Sequence, residues 1–211
     1  MEKTLLLTGA TGQVGRELLG RLLVREPRTR VLVLLRAADE SAAASRLRCL
    51  LVDLFGAERA AVAAEQTEAI VGDLSLERFG LGATEFRQLG KRLDEVIHSG
   101  AMTNLGAELE DARQSNVCGT QNILSLLAAA PAAQLHHIST AYVAGDVSRT
   151  VQPDALDLSV QFRNGYEQSK AEAEALVRGA GLSKQPYIYR PSMIVGDSVS
   201  GQTTSFNVIY I

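Results

Sequence analysis

Two kinds of apolar pattern alternate along the chain. Short apolar runs, typical of strands buried on both faces of a parallel sheet, occupy residues 5–7, 31–35 and 69–71, and three further strands are predicted at residues 95–98, 135–139 and 186–190. Between them, apolar residues recur at helical spacing over residues 13–24, 41–55, 107–129 and 166–178. This alternation predicts an α/β fold, a doubly wound parallel sheet with helices on both faces. Residues 146–164 show little periodicity and are expected to form a long surface loop.

Three glycines lie between the first predicted strand and the first predicted helix. Gly9, Gly12 and Gly15 have the spacing Gly-x-x-Gly-x-x-Gly. Glycine allows a tight turn and a close approach of the backbone to a pyrophosphate, and the helix that follows presents free N–H groups to it. We therefore expect a Rossmann fold that binds a dinucleotide, with contacts from Gly9, Thr11, Gly12, Gln13, Val14 and Gly15.

The residues after the second and third strands bear on which dinucleotide is bound. In NAD-binding proteins an acidic residue near the end of the second strand holds the ribose 2′-hydroxyl, but here Arg36 follows Leu35. A guanidinium there can pair with the 2′-phosphate of NADP, so the sequence predicts NADP(H). The alternative is a solvated arginine at a strand end. Asp73 has two open interpretations: an acceptor for the adenine amine, with Leu74 against the ring, or a helix N-cap.

A tyrosine and a lysine four residues apart supply candidate acid–base chemistry. Tyr166 and Lys170 project from the same face of a predicted helix. A nearby ammonium lowers the pKa of a phenol, so we expect a depressed pKa for Tyr166 and proton donation from its hydroxyl to a developing alkoxide. Ser139 and Thr140 end the fifth strand, where ligands collect in such sheets. We favour Thr140 as the hydroxyl that polarises a substrate carbonyl.

Composition narrows the possible partners. The 211 residues carry 21 lysines and arginines against 24 aspartates and glutamates, a net charge of −3, which gives no support for nucleic-acid binding. No apolar stretch has the length of a membrane span, and the N-terminus lacks the features of a signal peptide. Cys49, Cys118 and the histidines lack metal-ligand spacing, so no metal site is expected. We expect both cysteines to be small buried side chains in a cytoplasmic protein.

Several segments together resemble the extended short-chain dehydrogenase/reductases, and within them the thioester reductase and fatty acyl-CoA reductase group. The similar segments run along essentially the whole chain, at residues 7–12, 35–37, 72–75, 80–81, 96–101, 116–120, 138–143, 166–170 and 190–196. The resemblance implies catalytic roles for Thr140, Tyr166 and Lys170. It also implies that the cofactor is contacted by Tyr166, Lys170, Ser99, Gly100, Ala101, Pro191, Ser192 and Ile194, the last three near the nicotinamide.

Three features of the resemblance remain open or differ from the family. Gly100 stands where the family often has alanine, and we expect this difference to be harmless. Asn116 either supports Lys170 or a water molecule, or has a structural role. The helix before the fifth strand is often a dimer surface in this superfamily, so a homodimer is one expectation.

The resemblance implies an NADPH-dependent reductase that converts an acyl thioester, on coenzyme A or on a carrier protein, to an aldehyde or an alcohol. A nucleotide-sugar epimerase or dehydratase, a hydroxysteroid-type dehydrogenase and a non-catalytic NADP-sensing protein are the alternatives. Family members continue well past the 190–192 segment with a substrate-binding region. Residues 1–211 are therefore expected to be the NADP-binding domain, with the C-terminal substrate region largely absent.

Overall fold

A six-stranded parallel sheet forms the centre of the protein. The computed structural model describes residues 3–199, 201 and 203. Its strands are β1 (Lys3–Thr8), β2 (Thr29–Leu35), β3 (Thr67–Val71), β4 (Glu95–His98), β5 (Gln134–Ile138) and β6 (Tyr187–Tyr189). They lie side by side in the order β3-β2-β1-β4-β5-β6, and every neighbouring pair is parallel. The doubly wound Rossmann fold predicted from the sequence is therefore confirmed, with the strand order reversing between β1 and β4.

Among the described residues, five α-helices flank the sheet: α1 (Gln13–Arg25), α2 (Glu40–Glu65), α3 (Ala83–Lys91), α4 (Leu109–Ala128) and α5 (Gly165–Gly179). The helix predicted at residues 41–55 ends where Gly56 breaks the helical geometry, with φ of 75° and ψ of 164°. A second helical stretch then continues to Glu65 and was not predicted. The helix α3 was also missed, because Phe86 and Leu89 are the only large apolar residues that it buries.

The apolar runs of the strands supply two cores, one on each face of the sheet. Leu5 and Leu7 belong to the cluster beneath α1 and α2, whereas Leu6 belongs to the cluster that also holds Ile123 and Leu126 of α4. All three β1 leucines are at most 1% exposed. A strand covered on both faces needs apolar side chains at every position, which is why these strands read as continuous apolar runs.

The cysteine prediction is wrong. Cys49 is exposed and Cys118 is only partly buried. Cys49 lies on α2 between Leu47 and Leu50, which are buried, so helical geometry turns the thiol outward. The long loop predicted at residues 146–164 is confirmed, because all of these residues are described and none belongs to a helix or strand. In the described part of the chain, no helix is both long and apolar enough to cross a membrane.

Candidate active site

The carboxyl ends of the six parallel strands meet at one edge of the sheet. Each strand is followed there by residues that the sequence assigns to the site: Gly9 after β1, Arg36 after β2, Asp73 and Leu74 after β3, Ser99, Gly100 and Ala101 after β4, Thr140 after β5, and Pro191, Ser192 and Ile194 after β6. Helix α5 adds Tyr166 and Lys170 near its N-terminus. Ligands bind in open α/β sheets at this edge, beside the point where strand order reverses.

The glycine loop is a tightly packed turn at the reversal point. Gly9 has a φ of +72°, and a Cβ there would lie 2.6 Å from the backbone nitrogen of Gly100. A Cβ on Gly15 would lie 2.1 Å from the carbonyl oxygen of Gly9. Gly12 is the N-cap of α1, and among the described residues no side chain caps this helix. The turn therefore brings closely packed backbone next to the N-terminus of α1, the kind of arrangement that binds phosphate groups.

A buried threonine and histidine hold the ends of β1 and β4 together. Thr8 Oγ1 accepts hydrogen bonds from the N–H groups of Ser99, at 3.2 Å, and Gly100, at 3.0 Å. The same hydroxyl lies 2.9 Å from His98 Nδ1, and His98 Nε2 lies 3.1 Å from Thr120 Oγ1. The ends of β1 and β4 are thus joined at the Thr8 hydroxyl, and the His98 imidazole connects that hydroxyl to α4.

The hydrogen-bond directions assign the protonation state of that imidazole. Thr120 Oγ1 donates its hydrogen to the carbonyl of Asn116 at 2.7 Å, so it accepts from His98 Nε2. Thr8 then donates to Nδ1, and His98 is neutral with its proton on Nε2. Burial, with a smaller contribution from the nearby charge of Lys170, lowers the pKa of His98 to about 3.

Two arginines lie together where β2 ends. Arg36 is exposed, and its carbonyl accepts a hydrogen bond from Arg46 Nη1 at 2.7 Å. Arg46 is on α2, and sequence reasoning missed it because its position depends on how α2 packs. The signal available was a basic residue in the helix after the second strand. The guanidinium of Arg46 thus lies against the backbone of Arg36 where β2 ends.

Asp73 forms a turn after β3. Its Oδ1 accepts hydrogen bonds from the N–H group of Ser75, at 2.9 Å, and from the Ser75 hydroxyl, at 2.7 Å. The N-cap alternative is wrong, because the short 3₁₀ helix Glu77–Gly80 has Leu76 as its N-cap. Asp73 therefore shapes the strand end on which Leu74 lies.

Gly100 makes room for Leu74 at the reversal point. A Cβ on Gly100 would lie 2.4 Å from Leu74 Cδ1 and 3.2 Å from Thr8 Oγ1. An alanine here would require the Leu74 side chain to move, whereas the glycine leaves room for it, and the expectation that the glycine is harmless stays a prediction.

Thr140, Tyr166 and Lys170 come together between β5 and α5. Thr140 is 4% exposed and caps the short 3₁₀ helix Ala141–Ala144. The half-buried Tyr166 is hydrogen-bonded to the Thr140 side chain. Lys170 is also 4% exposed, and its Nζ donates to the carbonyl of Ile138 at 2.7 Å. Two hydroxyl groups and an ammonium thus lie at the strand edge, an arrangement suited to polarising a carbonyl and supplying a proton.

The expected depression of the Tyr166 pKa is wrong for this structure. Burial raises the pKa of Tyr166, and the hydrogen bond with Thr140 offsets this only in part. The reason is geometric, since the Lys170 ammonium is bonded to the Ile138 carbonyl. Burial lowers the pKa of Lys170 to about 8, against the opposing charge of Glu174. Lys170 is therefore mainly protonated at neutral pH.

Two further contacts connect the loops around this edge. Asn116 bonds the backbone of Met102 in both directions, at 2.7 and 3.1 Å, and donates to Ser169 Oγ at 2.9 Å. Its structural interpretation is therefore supported, since these bonds tie the loop after β4 to α5. Gln13 Nε2 donates to the carbonyl of Val195 at 2.9 Å, which links the glycine loop to the segment after β6. Ser192 and Ile194 in that segment are exposed.

Across residues 3–199, 201 and 203, no group of three or more His, Cys, Asp or Glu side chains is arranged to hold a metal ion. His98 and His137 are buried strand residues, as expected of core histidines.

The strand order and the glycine loop at its reversal point define a dinucleotide-binding α/β protein of the short-chain dehydrogenase/reductase type. The chain belongs to the NAD-binding male sterility protein family, whose sequence model matches residues 7–211. This match confirms the resemblance drawn from the sequence motifs.

Individual relatives are large biosynthetic proteins or domains of them. A nonribosomal peptide synthetase (asaC) of Aspergillus flavus is 36% identical over 211 residues, which cover 95% of this chain and 20% of that protein. The terminal R domain from the myxalamid PKS-NRPS biosynthetic pathway is similar in structure, with 32% identity, a TM-score of 0.87, and coverage of 99% of this chain and 54% of that one. The reductase (R) domain of a nonribosomal peptide synthetase from Mycobacterium tuberculosis has 29% identity and a TM-score of 0.72, covering 94% of this chain and 50% of that one. The chain thus spans about half of each solved domain and a fifth of the synthetase.

Proposed function

We propose that this chain is the NADP(H)-binding part of a reductase that acts on an acyl thioester held by a carrier protein. The observation that carries the proposal is the convergence of Thr140, Tyr166 and Lys170 at the strand edge that also bears the glycine loop. Support for the substrate class comes from the similarity to reductase domains of peptide synthetases.

The cofactor assignment follows from the residues at the strand ends. The loop of Gly9, Gly12 and Gly15 would hold the pyrophosphate at the N-terminus of α1, which no described side chain caps, and the tight turn needs glycine because a Cβ on Gly9 or Gly15 would collide with the backbone of Gly100 or of Gly9. Arg36 and Arg46 would hold the 2′-phosphate. Adenine would lie by Asp73 and Leu74, and the riboses and nicotinamide by Ser99, Gly100, Ala101, Tyr166, Lys170, Pro191, Ser192 and Ile194, with Thr11, Gln13 and Val14 beside the phosphates.

Reduced nicotinamide would supply the hydride that adds to the thioester carbonyl carbon. Thr140 and Tyr166 would hydrogen-bond the carbonyl oxygen as negative charge develops on it. The raised pKa of Tyr166 keeps its hydroxyl protonated, so it can donate to that oxygen. The resulting hemithioacetal would then return the proton to the phenolate, and its carbon–sulfur bond would break to release the aldehyde and the carrier thiolate. The Lys170 ammonium, one helical turn from Tyr166 on α5, would place a positive charge near the phenol. It would also donate a hydrogen bond to the cofactor ribose.

The proposal is tested by supplying NADPH and a carrier-bound acyl thioester to the full-length protein. We expect NADPH consumption that depends on the thioester, with an aldehyde or alcohol as product. Tyr166→Phe should lower kcat by roughly 10²- to 10⁴-fold while NADPH still binds. Consumption of NADPH that Tyr166→Phe leaves unchanged would refute the assigned role. Purification with tightly retained NAD and no thioester reduction would favour an epimerase instead.

Cofactor preference is tested separately at the end of β2. Arg36→Ala and Arg46→Ala should each raise KM for NADPH by about tenfold, the loss of one charge-assisted contact, and leave KM for NADH nearly unchanged. Arg48→Ala is a matched control, because Arg48 is an exposed arginine of the same helix. Equal effects of Arg36→Ala on both cofactors would contradict the NADP assignment.

A further inference from the structure

Glu174 is a completely buried carboxylate on α5 that the sequence does not assign to the site. Its side chain has 0% exposure. Oε2 accepts hydrogen bonds from Ser139 Oγ at 2.6 Å and from Arg190 Nε at 3.0 Å. Oε1 accepts from Arg190 Nη2 at 2.7 Å and from Arg178 Nε at 2.8 Å. A buried carboxylate so fully bonded fixes the position of every group that donates to it.

Two of the donors belong to the strand ends next to the catalytic groups. Ser139 immediately precedes Thr140, and Arg190 immediately precedes Pro191. Backbone bonds join the same two segments, since the N–H group of Ser139 donates to the Tyr189 carbonyl at 2.7 Å and that of Ala141 to the Pro191 carbonyl at 2.8 Å. Glu174 thus bonds the residue before Thr140 and the residue before Pro191, where the segment expected near the nicotinamide begins.

The two arginines extend the cluster to the long loop of residues 146–164. Arg190 Nη2 also donates to the Ala155 carbonyl at 2.7 Å, and Arg178 Nη1 donates to the Asp154 carbonyl at 2.8 Å. Loss of the carboxylate would therefore release the loop as well as the strand ends.

Glu174 is also one helical turn from Lys170, and the two charges interact. The carboxylate favours the ammonium form and raises the pKa of Lys170, against the larger effect of burial. The guanidinium bonds of Arg190 and Arg178 keep the pKa of Glu174 itself below its usual value, so it is ionised at neutral pH. Glu174 thus supplies a negative charge one helical turn from Lys170 on α5.

The other groups around Lys170 are uncharged at neutral pH. His98 on β4 and His137 on β5 both have pKa values lowered by burial and by the Lys170 charge. On its own helix Tyr166 has a raised pKa, and α4 contributes the neutral Asn116, whose amide donates to the residue before Lys170. Among the described residues, Glu174 is the carboxylate whose charge acts on Lys170, and that carboxylate is shared with Arg178 and Arg190.

We propose that Glu174 is a positioning residue for hydride transfer, which holds the ends of β5 and β6 against α5 and balances the charge of Lys170. It touches neither cofactor nor substrate and acts through Thr140, Lys170 and the segment that begins at Pro191. The catalytic part of this inference rests on the proposed reductase function.

The test compares Glu174→Gln with Glu172→Gln in the full-length protein. Glu172 is a matched control, because it is a carboxylate of the same helix that pairs with an arginine, Arg113, at 2.7 Å, but on the partly exposed side. For Glu174→Gln we expect kcat to fall at least tenfold. We also expect the loss of activity at alkaline pH to begin at least one pH unit lower, since Lys170 loses its counter-charge. Glu172→Gln should leave kcat and the pH profile unchanged.

The titration of Lys170 gives a readout that does not need turnover. NMR of protein labelled at lysine side chains, with Lys170→Arg to assign the signal, should show the midpoint of Lys170 about one pH unit or more lower in Glu174→Gln. An unchanged midpoint would overturn the charge-balancing role even if the protein has no reductase activity. If the midpoint shifts in Glu174→Gln but the wild-type protein reduces no thioester, the charge-balancing role stands and the proposed function is refuted.

A milder substitution covers the case in which Glu174→Gln does not fold. Ser139→Ala removes one donor to the carboxylate but no charge. It should lower kcat about threefold or more, the loss of one hydrogen bond, with KM for NADPH and the Lys170 midpoint unchanged. A kcat equal to that of the wild type would contradict the positioning of Thr140 through Ser139.

Discussion

Replacing His98 by glutamine should weaken the dependence of stability on pH. In the folded protein burial holds the pKa of His98 at about 3, whereas its ordinary value is 6.5. Between these values the unfolded chain binds a proton that the folded protein does not. Stability from this group is therefore complete above about pH 6.5 and is lost as the pH falls toward 3. Glutamine does not titrate, so the variant lacks this contribution to the slope.

The magnitude follows from the width of the window. Each pH unit within it corresponds to about 1.4 kcal/mol, so the wild type should lose about 2 kcal/mol from His98 between pH 6.5 and pH 5. At pH 7 the variant should be less stable, because the Thr8 hydroxyl loses its acceptor while buried, at a cost of about 1–3 kcal/mol. His137, whose pKa is also lowered by burial, contributes with the same sign in both proteins.

Urea unfolding at several pH values between 7.5 and 5 measures this effect. Circular dichroism is the suitable signal, because the chain contains no tryptophan. Below about pH 6.5 the wild type should show the steeper decline of the unfolding free energy with acidification, by a difference that approaches about 1.4 kcal/mol per pH unit relative to His98→Gln. Parallel curves for the two proteins would refute the neutral state assigned to His98.

Three other substitutions test the packing around the site. Gly9→Ala should weaken NADPH binding at least tenfold in a fluorescence titration, because its Cβ would lie 2.6 Å from the Gly100 nitrogen; Gly179→Ala, with open space around the added Cβ, should bind NADPH as the wild type does. Gly100→Ala should lower the unfolding free energy by about 1 kcal/mol, since Leu74 must move; an unchanged value would indicate that Leu74 relaxes freely. Asn116→Leu should lower the unfolding free energy by about 2 kcal/mol, because the Met102 backbone loses its partners. A variant as stable as the wild type would contradict the structural role of Asn116.

The central strands could be predicted because burial on both faces requires apolar residues at successive positions, and most helices could be predicted from apolar residues at helical spacing. Leu5, Leu6 and Leu7 illustrate this, since each is at most 1% exposed. Helix α3 buries too few large side chains to show a periodic pattern. The continuation of α2 beyond Gly56 was missed because a glycine usually ends a helix, whereas here the chain resumes helical geometry after one residue.

The positions of the site residues could be predicted because parallel strands place their carboxyl ends at one edge. What the sequence could not supply were directions of side chains. The Lys170 ammonium is bonded to Ile138, so the expected depression of the Tyr166 pKa does not occur. The roles of Arg46 and Glu174 likewise depend on how helices pack against the sheet, which residue spacing does not encode.

In the proposed function, hydride passes from NADPH to a thioester carbon at the edge formed by Thr140, Tyr166 and Lys170. NADPH carrying deuterium at the transferable C4 position, given to the full-length protein with a carrier-bound acyl thioester, tests it by mass spectrometry of the product. We predict that the wild-type protein forms product with deuterium on the former thioester carbon, and that Tyr166→Phe forms almost no deuterated product in the same time. Product without deuterium, or equal amounts of deuterated product from the two proteins, would contradict hydride transfer at this edge.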